Sequence, residues 1–204
     1  DLASDQNPSY AMRCLGSDAD GVADLLDDFV SGMREGGLSV TIKTFPGIGN
    51  VSADVTESIA ENTDSLMTIR DTNFVPYASG IQAGADCVMV SNAAYSKLTV
   101  KKVPAFMSQD IVTKLLREEL GFDGIVMTSP LNDNVIENNY TNEFAVVEAV
   151  KAGCDLIVLP GNFKECYEAL ITAVEEGRID EKVINTSVRR ILQNKIQRGI
   201  LVLE

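Results

Sequence analysis

The chain has 204 residues, is 45% hydrophobic, lacks tryptophan and carries a formal net charge of −13 at pH 7. This length suits one sizeable domain with its own core, and the acidity excludes a nucleic-acid binder, which needs Lys/Arg-rich faces. The chain has no histidine, so it lacks the commonest general base and zinc ligand, and no apolar run approaches the ~18 residues of a membrane span.

Residues 1–17 read as polar and irregular, with Asn7-Pro8 marking a turn. Ser17 or Asp18 caps a helix to about Glu35, along which Val22, Leu25, Leu26, Phe29, Val30 and Met33 recur at helical spacing. Gly36-Gly37 stops it. A strand is expected over 38–43, then a loop over 44–56 rich in Gly, Pro and small polar residues. An amphipathic helix over 69–83 ends at Gly84, and a strand over 86–91 carries the apolar run CVMV. Ser108 caps a helix to Leu120, and a strand over 124–128 stops at Ser129-Pro130. An Asn/Asp-rich loop follows to 139. A helix over 141–152, a strand over 155–159, a helix over 163–176 and a last helix from Asp180 to about Arg198 complete the chain.

Two segments echo each other: IQAGADCVMVS and VKAGCDLIVLP share a helix end, Ala-Gly, one variable residue, Asp and an apolar strand. Helix, tight turn and parallel strand in repetition define an α/β protein, and an eight-stranded (β/α)8 barrel of the TIM type fits best. Four strands are legible where a full barrel has eight, so the expectation is one domain over 1–204 forming roughly the C-terminal half of a barrel, about strands five to eight. Ligands in such folds bind past the carboxyl ends of strands, which puts Ser129 where a reactive group would stand. The four cysteines, Cys14, Cys87, Cys154 and Cys166, show no ligand spacing and read as packing residues.

IKTFPGIGN, the AG-x-D-x-VMV strand leading to Tyr95, PAFMS, LLREELGFDGIVMT, AGCDLIVLP and SVRRILQNKIQRGIL occur in consistent order. Together they resemble the N-terminal barrel domain of glycoside hydrolase family 3, its β-N-acetylglucosaminidase branch most closely. The resemblance implies hydrolysis of terminal β-linked N-acetylglucosamine with no metal or organic cofactor. It also implies particular site residues, and here the chain departs from the pattern. The family's Lys-His-Phe-Pro-Gly-His-Gly loop reads Lys43-Thr44-Phe45-Pro46-Gly47-Ile48-Gly49, keeping the sugar-holding lysine and losing both histidines. Its Asp-Ser-His step, source of the general acid/base, reads Asp54-Val55-Thr56. A substrate-contacting histidine is replaced by Asn92, and the nucleophilic aspartate by Ser129. Arg13 stands where the family has a sugar-contacting arginine.

A retaining glycosidase needs a carboxylate ~5 Å from its acid, to form a glycosyl–enzyme. A serine hydroxyl without a base is a poor substitute, and threonine moves no proton near neutral pH. The catalytic positions, Ser129, Asp54 and Thr56, are therefore not intact, while Arg13, Lys43 and Asn92 remain as candidate substrate-binding residues. Asp133, just beyond Ser129, reads as a turn or cap residue, with a substitute carboxylate as the sharper reading. The expected role is recognition of sugar or cell wall, or a scaffold. The alternatives are an active hexosaminidase using non-standard residues and a half-barrel that assembles with the missing half or with a second subunit.

Overall fold

The computed structural model describes residues 1–51 and 53–202. In chain order the elements are α1 (Pro8–Ala11), α2 (Ala19–Glu35), β1 (Thr41–Phe45), β2 (Glu61–Asn62), α3 (Leu66–Asp71), α4 (Phe74–Gln82), β3 (Cys87–Val90), β4 (Ala94–Tyr95), a π-helix (Asp110–Glu119), β5 (Ile125–Thr128), α5 (Asn134–Glu137), α6 (Asn142–Ala152), α7 (Phe163–Glu175) and α8 (Glu181–Gln197). β1, β3 and β5 form a parallel sheet in that order, and β2 pairs with β4 in a small second sheet. Helices bridge successive strands, as parallel pairing requires. The architecture is α/β, with the segment after Asp155 lying beside β5 as a fourth position.

One face of the sheet is closed, and the other is uncovered along one row. Ile42, Val88, Val90 and Val126 belong to the buried core. Lys43, Met89, Met127 and Leu156 lie in register across the sheet, and none of these four is buried. Alternation of side chains along a strand produces this difference.

Several boundaries differ from the sequence expectation for physical reasons. The strand expected over 38–43 runs over Thr41–Phe45, because Phe45 is fully buried against the rings of Phe74 and Tyr77 while Leu38 is exposed. The helix expected over 69–83 is two helices, α3 starting earlier under a Ser65 cap and α4 restarting after Thr72-Asn73. Pro76 suits the first turn of that second helix, since its missing N–H is not needed there. The helix expected from Ser108 is a π-helix from Asp110, closed by Leu120 N donating to Leu115 O at 3.0 Å. The strand expected over 155–159 makes only a bridge, Leu156 to Met127, and Leu159 leaves the extended region at φ +42°. The loop expected to 139 contains α5, and residues 1–17 contain α1.

The echo in the sequence is an echo in space. Asp86 Oδ2 accepts from Val40 N at 2.9 Å, just before β1, and Asp155 Oδ2 accepts from Val126 N at 2.9 Å, in β5. Each aspartate thus pins the strand that precedes its own. Both are also gripped by α8. Ser187 Oγ and Arg190 Nη1 donate to Asp155 at 2.7 and 3.2 Å; Asn194 Nδ2 and Arg198 Nη2 donate to Asp86 Oδ1 at 2.9 and 2.6 Å. Positions two strands apart lie roughly 9.6 Å from each other, and the seven residues from Ser187 to Asn194 rise about 10.5 Å along a helix. One helix therefore spans both carboxylates. Arg34 and Arg117 complete the two clusters from α2 and the π-helix.

Asp155 has no exposed side-chain surface and Arg117 only 11%. Breaking such a pair from one side strands a buried charge, at about 3–5 kcal/mol. Asp155→Ala in the full polypeptide is therefore expected to lose about that much in denaturant unfolding. Asp110→Ala, which removes an exposed partner of Lys114, is expected to leave the midpoint in place. Equal effects from the two variants would show that Asp155 does not anchor the fold.

Candidate functional site

The carboxyl ends of β3 and β5 deliver Ser91-Asn92 and Ser129 to one end of the sheet. Ser129 is 5% exposed. Its Oγ donates to Val90 O at 2.9 Å, and its backbone N–H donates to the same carbonyl at 3.0 Å. The hydroxyl proton is committed to the neighbouring strand, and among the described residues no base is bonded to it to take the proton away. Ser129 is built as a strand lock.

Asp54 and Thr56 are directly bonded. Asp54 Oδ1 accepts from Thr56 N at 2.9 Å and from Thr56 Oγ1 at 2.7 Å. These two bonds hold the Asp54 carboxyl below its usual range, against a small opposing effect of burial. The pair makes an Asx-type turn. The turn is docked on α5: Thr56 O accepts from Val135 N at 2.8 Å, and Glu57 Oε2 accepts from Asn134 Nδ2 at 2.8 Å.

Asn92 is 1% exposed, and its Nδ2 donates to Asp133 Oδ2 at 2.8 Å. Asp133 occupies the N-cap position of α5, yet its side chain makes no capping bond. The carboxylate is turned to Asn92 instead. Burial raises the Asp133 carboxyl above its usual value against the opposing Asn92 bond, with the charges of Asp54 and Glu57 adding less. Asn92 Oδ1 is buried and has no hydrogen-bond partner among the described residues. The sequence signal for this arrangement was a single acidic residue four positions after Ser129, which the turn reading absorbs.

Arg13 and Lys43 come together elsewhere, lining one cleft of about 250 Å³ beside β1 with Leu26, Phe29, Pro76 and Tyr77. Burial, then the neighbouring Arg13, lowers the Lys43 amine from its usual value. Arg13 lies 4.8 Å over the Tyr10 ring. The cleft and the Asn92–Asp133 pair share no hydrogen bond or ion pair among the described residues. The loop between Thr44 and Gly49 is fixed from several sides. Thr44 N and Ile48 N donate to the Asp1 carboxylate at 2.8 and 3.0 Å, and Tyr95 OH donates to Gly47 O at 3.0 Å. Thr44 and Ile48 are both buried, Ile48 completely. Sequence reasoning gave Asp1 no role in this loop. Among the described residues, no three Cys, Asp or Glu side chains are placed to hold a metal ion.

With this geometry in place, comparison with known proteins identifies the fold's relatives. The family model described as "Glycosyl hydrolase family 3 N terminal domain" matches residues 1–194. A "Beta-N-acetylglucosaminidase/beta-glucosidase" of Cellulomonas fimi is 28% identical over 96% of this chain and 36% of its own length. A "Beta-hexosaminidase" of Stenotrophomonas maltophilia is 31% identical over 96% of this chain and 55% of its own. The solved structure of a family 3 β-N-acetylglucosaminidase from Paenibacillus sp. superposes with a TM-score of 0.94 at 32% identity, covering 100% of this chain and 40% of that one. The chain thus spans roughly a third to a half of the length of these relatives. The barrel-type fold, the parallel sheet and the ordered motifs agree, and the chain belongs to the glycosyl hydrolase family 3 N-terminal domain family.

Proposed function

We propose that this domain recognises a carbohydrate of the N-acetylglucosamine type, free or in a cell wall, and does not hydrolyse it. The observation that carries this reading is Ser129, a neutral side chain whose proton is given to Val90 O, at the strand end where the family resemblance calls for a carboxylate. Without a nucleophilic carboxylate no glycosyl–enzyme forms by the retaining route. Asp54, bonded to Thr56 in a turn, has no basic partner with which to shuttle a proton. Arg13, Lys43 and Asn92 are the residues proposed to contact the sugar. The relatives named for N-acetylglucosamine chemistry supply the sugar class.

The same reading makes the chain about half of an eight-stranded barrel, completed by further strands or by a second copy. Three features support it: the open face of Lys43, Met89 and Met127; the exposed row Phe163, Tyr167 and Ile171 on α7; and the exposed row Val188, Leu192 and Ile196 on α8. Uncovered apolar rows and unpaired strand edges favour association. The 204 residues alone are expected to self-associate in analytical ultracentrifugation. A monomer that unfolds cooperatively would sink the half-barrel proposal.

An active β-N-acetylhexosaminidase using other groups is the competing reading, and the Asp133 carboxylate near the strand ends speaks for it. The full-length protein and its Ser129→Asp variant are expected to leave an aryl β-N-acetylglucosaminide uncleaved, while calorimetry detects N-acetylglucosamine binding to the wild type. Turnover by the wild type would overturn the non-catalytic reading. Absence of both turnover and sugar binding would leave a scaffold role in its place.

A further inference from the structure

We infer that the cleft beside β1 holds the carboxylate of a sugar acid, with Arg13, Lys43 and the Tyr77 hydroxyl as its donors, an inference that rests on the sugar-binding reading above. All three residues line the cleft of about 250 Å³. Arg13 is positioned by a ring and not by an acid, its guanidinium carbon lying 4.8 Å over Tyr10. No ion pair among the described residues uses Arg13 or Lys43. In a chain with 30 acidic against 17 basic residues, carboxylates are the plentiful partner, yet these two neighbouring cations have none. Burial and then the charge of Arg13 lower the Lys43 amine, and an anion between the two relieves both effects. The acid in the lining does not serve. Asp1 spends its carboxylate on Thr44 N, Thr44 Oγ1 and Ile48 N.

A third donor stands in the same lining. Tyr77 is 3% exposed, and its hydroxyl is buried without a hydrogen-bond partner among the described residues. Burial keeps the phenol protonated well above its ordinary range, so the oxygen has a proton to give. Tyr95, Tyr10 and Cys14 lie within electrostatic range of it. Arg13 rests on Tyr10 and adjoins Cys14, itself part of the lining, so the unmet donor belongs to the Arg13 end of the cleft. A buried donor without an acceptor costs stability, and an arriving oxygen removes that cost.

Donors and walls together define the ligand. Arg13 and Lys43 bring donors and no acceptor, which selects an anion, and a planar carboxylate matches the guanidinium fork. A phosphate dianion meets stronger repulsion from a chain of net charge −13. Leu26, Phe29 and Pro76 give the cleft an apolar side, which suits the C–H face of a sugar ring while the few polar groups fix its orientation. A hexuronate carries both features on one ring.

The test is calorimetric titration of the full-length protein at neutral pH with D-glucuronate, D-glucose, N-acetylglucosamine, propionate and inorganic phosphate. Arg13→Gln and Tyr77→Phe are measured beside a control, Lys164→Gln, which removes an exposed charge of α7. Wild type and Lys164→Gln are expected to bind glucuronate roughly tenfold more tightly than glucose, about the effect of one charge-assisted hydrogen bond. Arg13→Gln is expected to abolish that preference. Tyr77→Phe is expected to weaken glucuronate several-fold while the unfolding midpoint holds or rises, since an unmet hydroxyl is removed. Equal affinity for glucuronate and glucose, a preference that survives in Arg13→Gln, or unchanged glucuronate affinity in Tyr77→Phe overturns the carboxylate site. Binding of N-acetylglucosamine in that case leaves the sugar-binding reading standing. Propionate or phosphate binding as tightly as glucuronate overturns the site too, as attraction of any anion to two cations. Binding of none of the five overturns both readings.

Discussion

Everything in this fold depends on two carboxylates at the amino ends of its strands. Asp86 and Asp155 each hold the preceding strand by its backbone and a terminal helix by its side chains. A parallel sheet gains no hairpins to fix neighbours, so register must come from elsewhere. Here it comes from charged hydrogen bonds that tie β1, β3, β5 and α8 into one frame. The opposite end of the sheet is thereby freed to carry loops of unrelated sequence, which is where Ser129, Asn92 and Asp133 stand.

That division explains what the sequence disclosed. The repeated Ala-Gly-x-Asp was visible because a glycine at φ +93° or +109° and an aspartate at the strand entrance are local requirements of one turn. The cap Asp18 was legible for the same reason, accepting from the backbone amide of Gly21 three residues ahead, whereas Ser108, read as a cap, does not cap the helix after it. The π winding of 110–119 and the bridge-only pairing at Leu156 have no local mark. They depend on what neighbouring segments leave available. At the site, the sequence shows that positions 129 and 56 carry hydroxyls and neither a carboxylate nor an imidazole. The partnering of Asp133 with Asn92 across 41 residues was invisible, because a lone aspartate before a short helix looks like a cap.

The walls of the candidate site are held independently of the strand-end residues. Arg13 and Lys43 share a cleft beside β1, and the Thr44–Gly49 loop is clamped by Asp1, Asn62 and Tyr95.

Ile48 carries the longest consequence. Its side chain is fully enclosed and belongs to the main core cluster with Val51, Phe45 and Tyr95. Close packing leaves little room for a ring of different shape, and a buried imidazole also needs partners for its nitrogens. A histidine placed at this position would disturb the interior before it could serve a ligand. A loop residue that belongs to the core is thus tied to stability, and the groups facing outward are the ones left free for ligands.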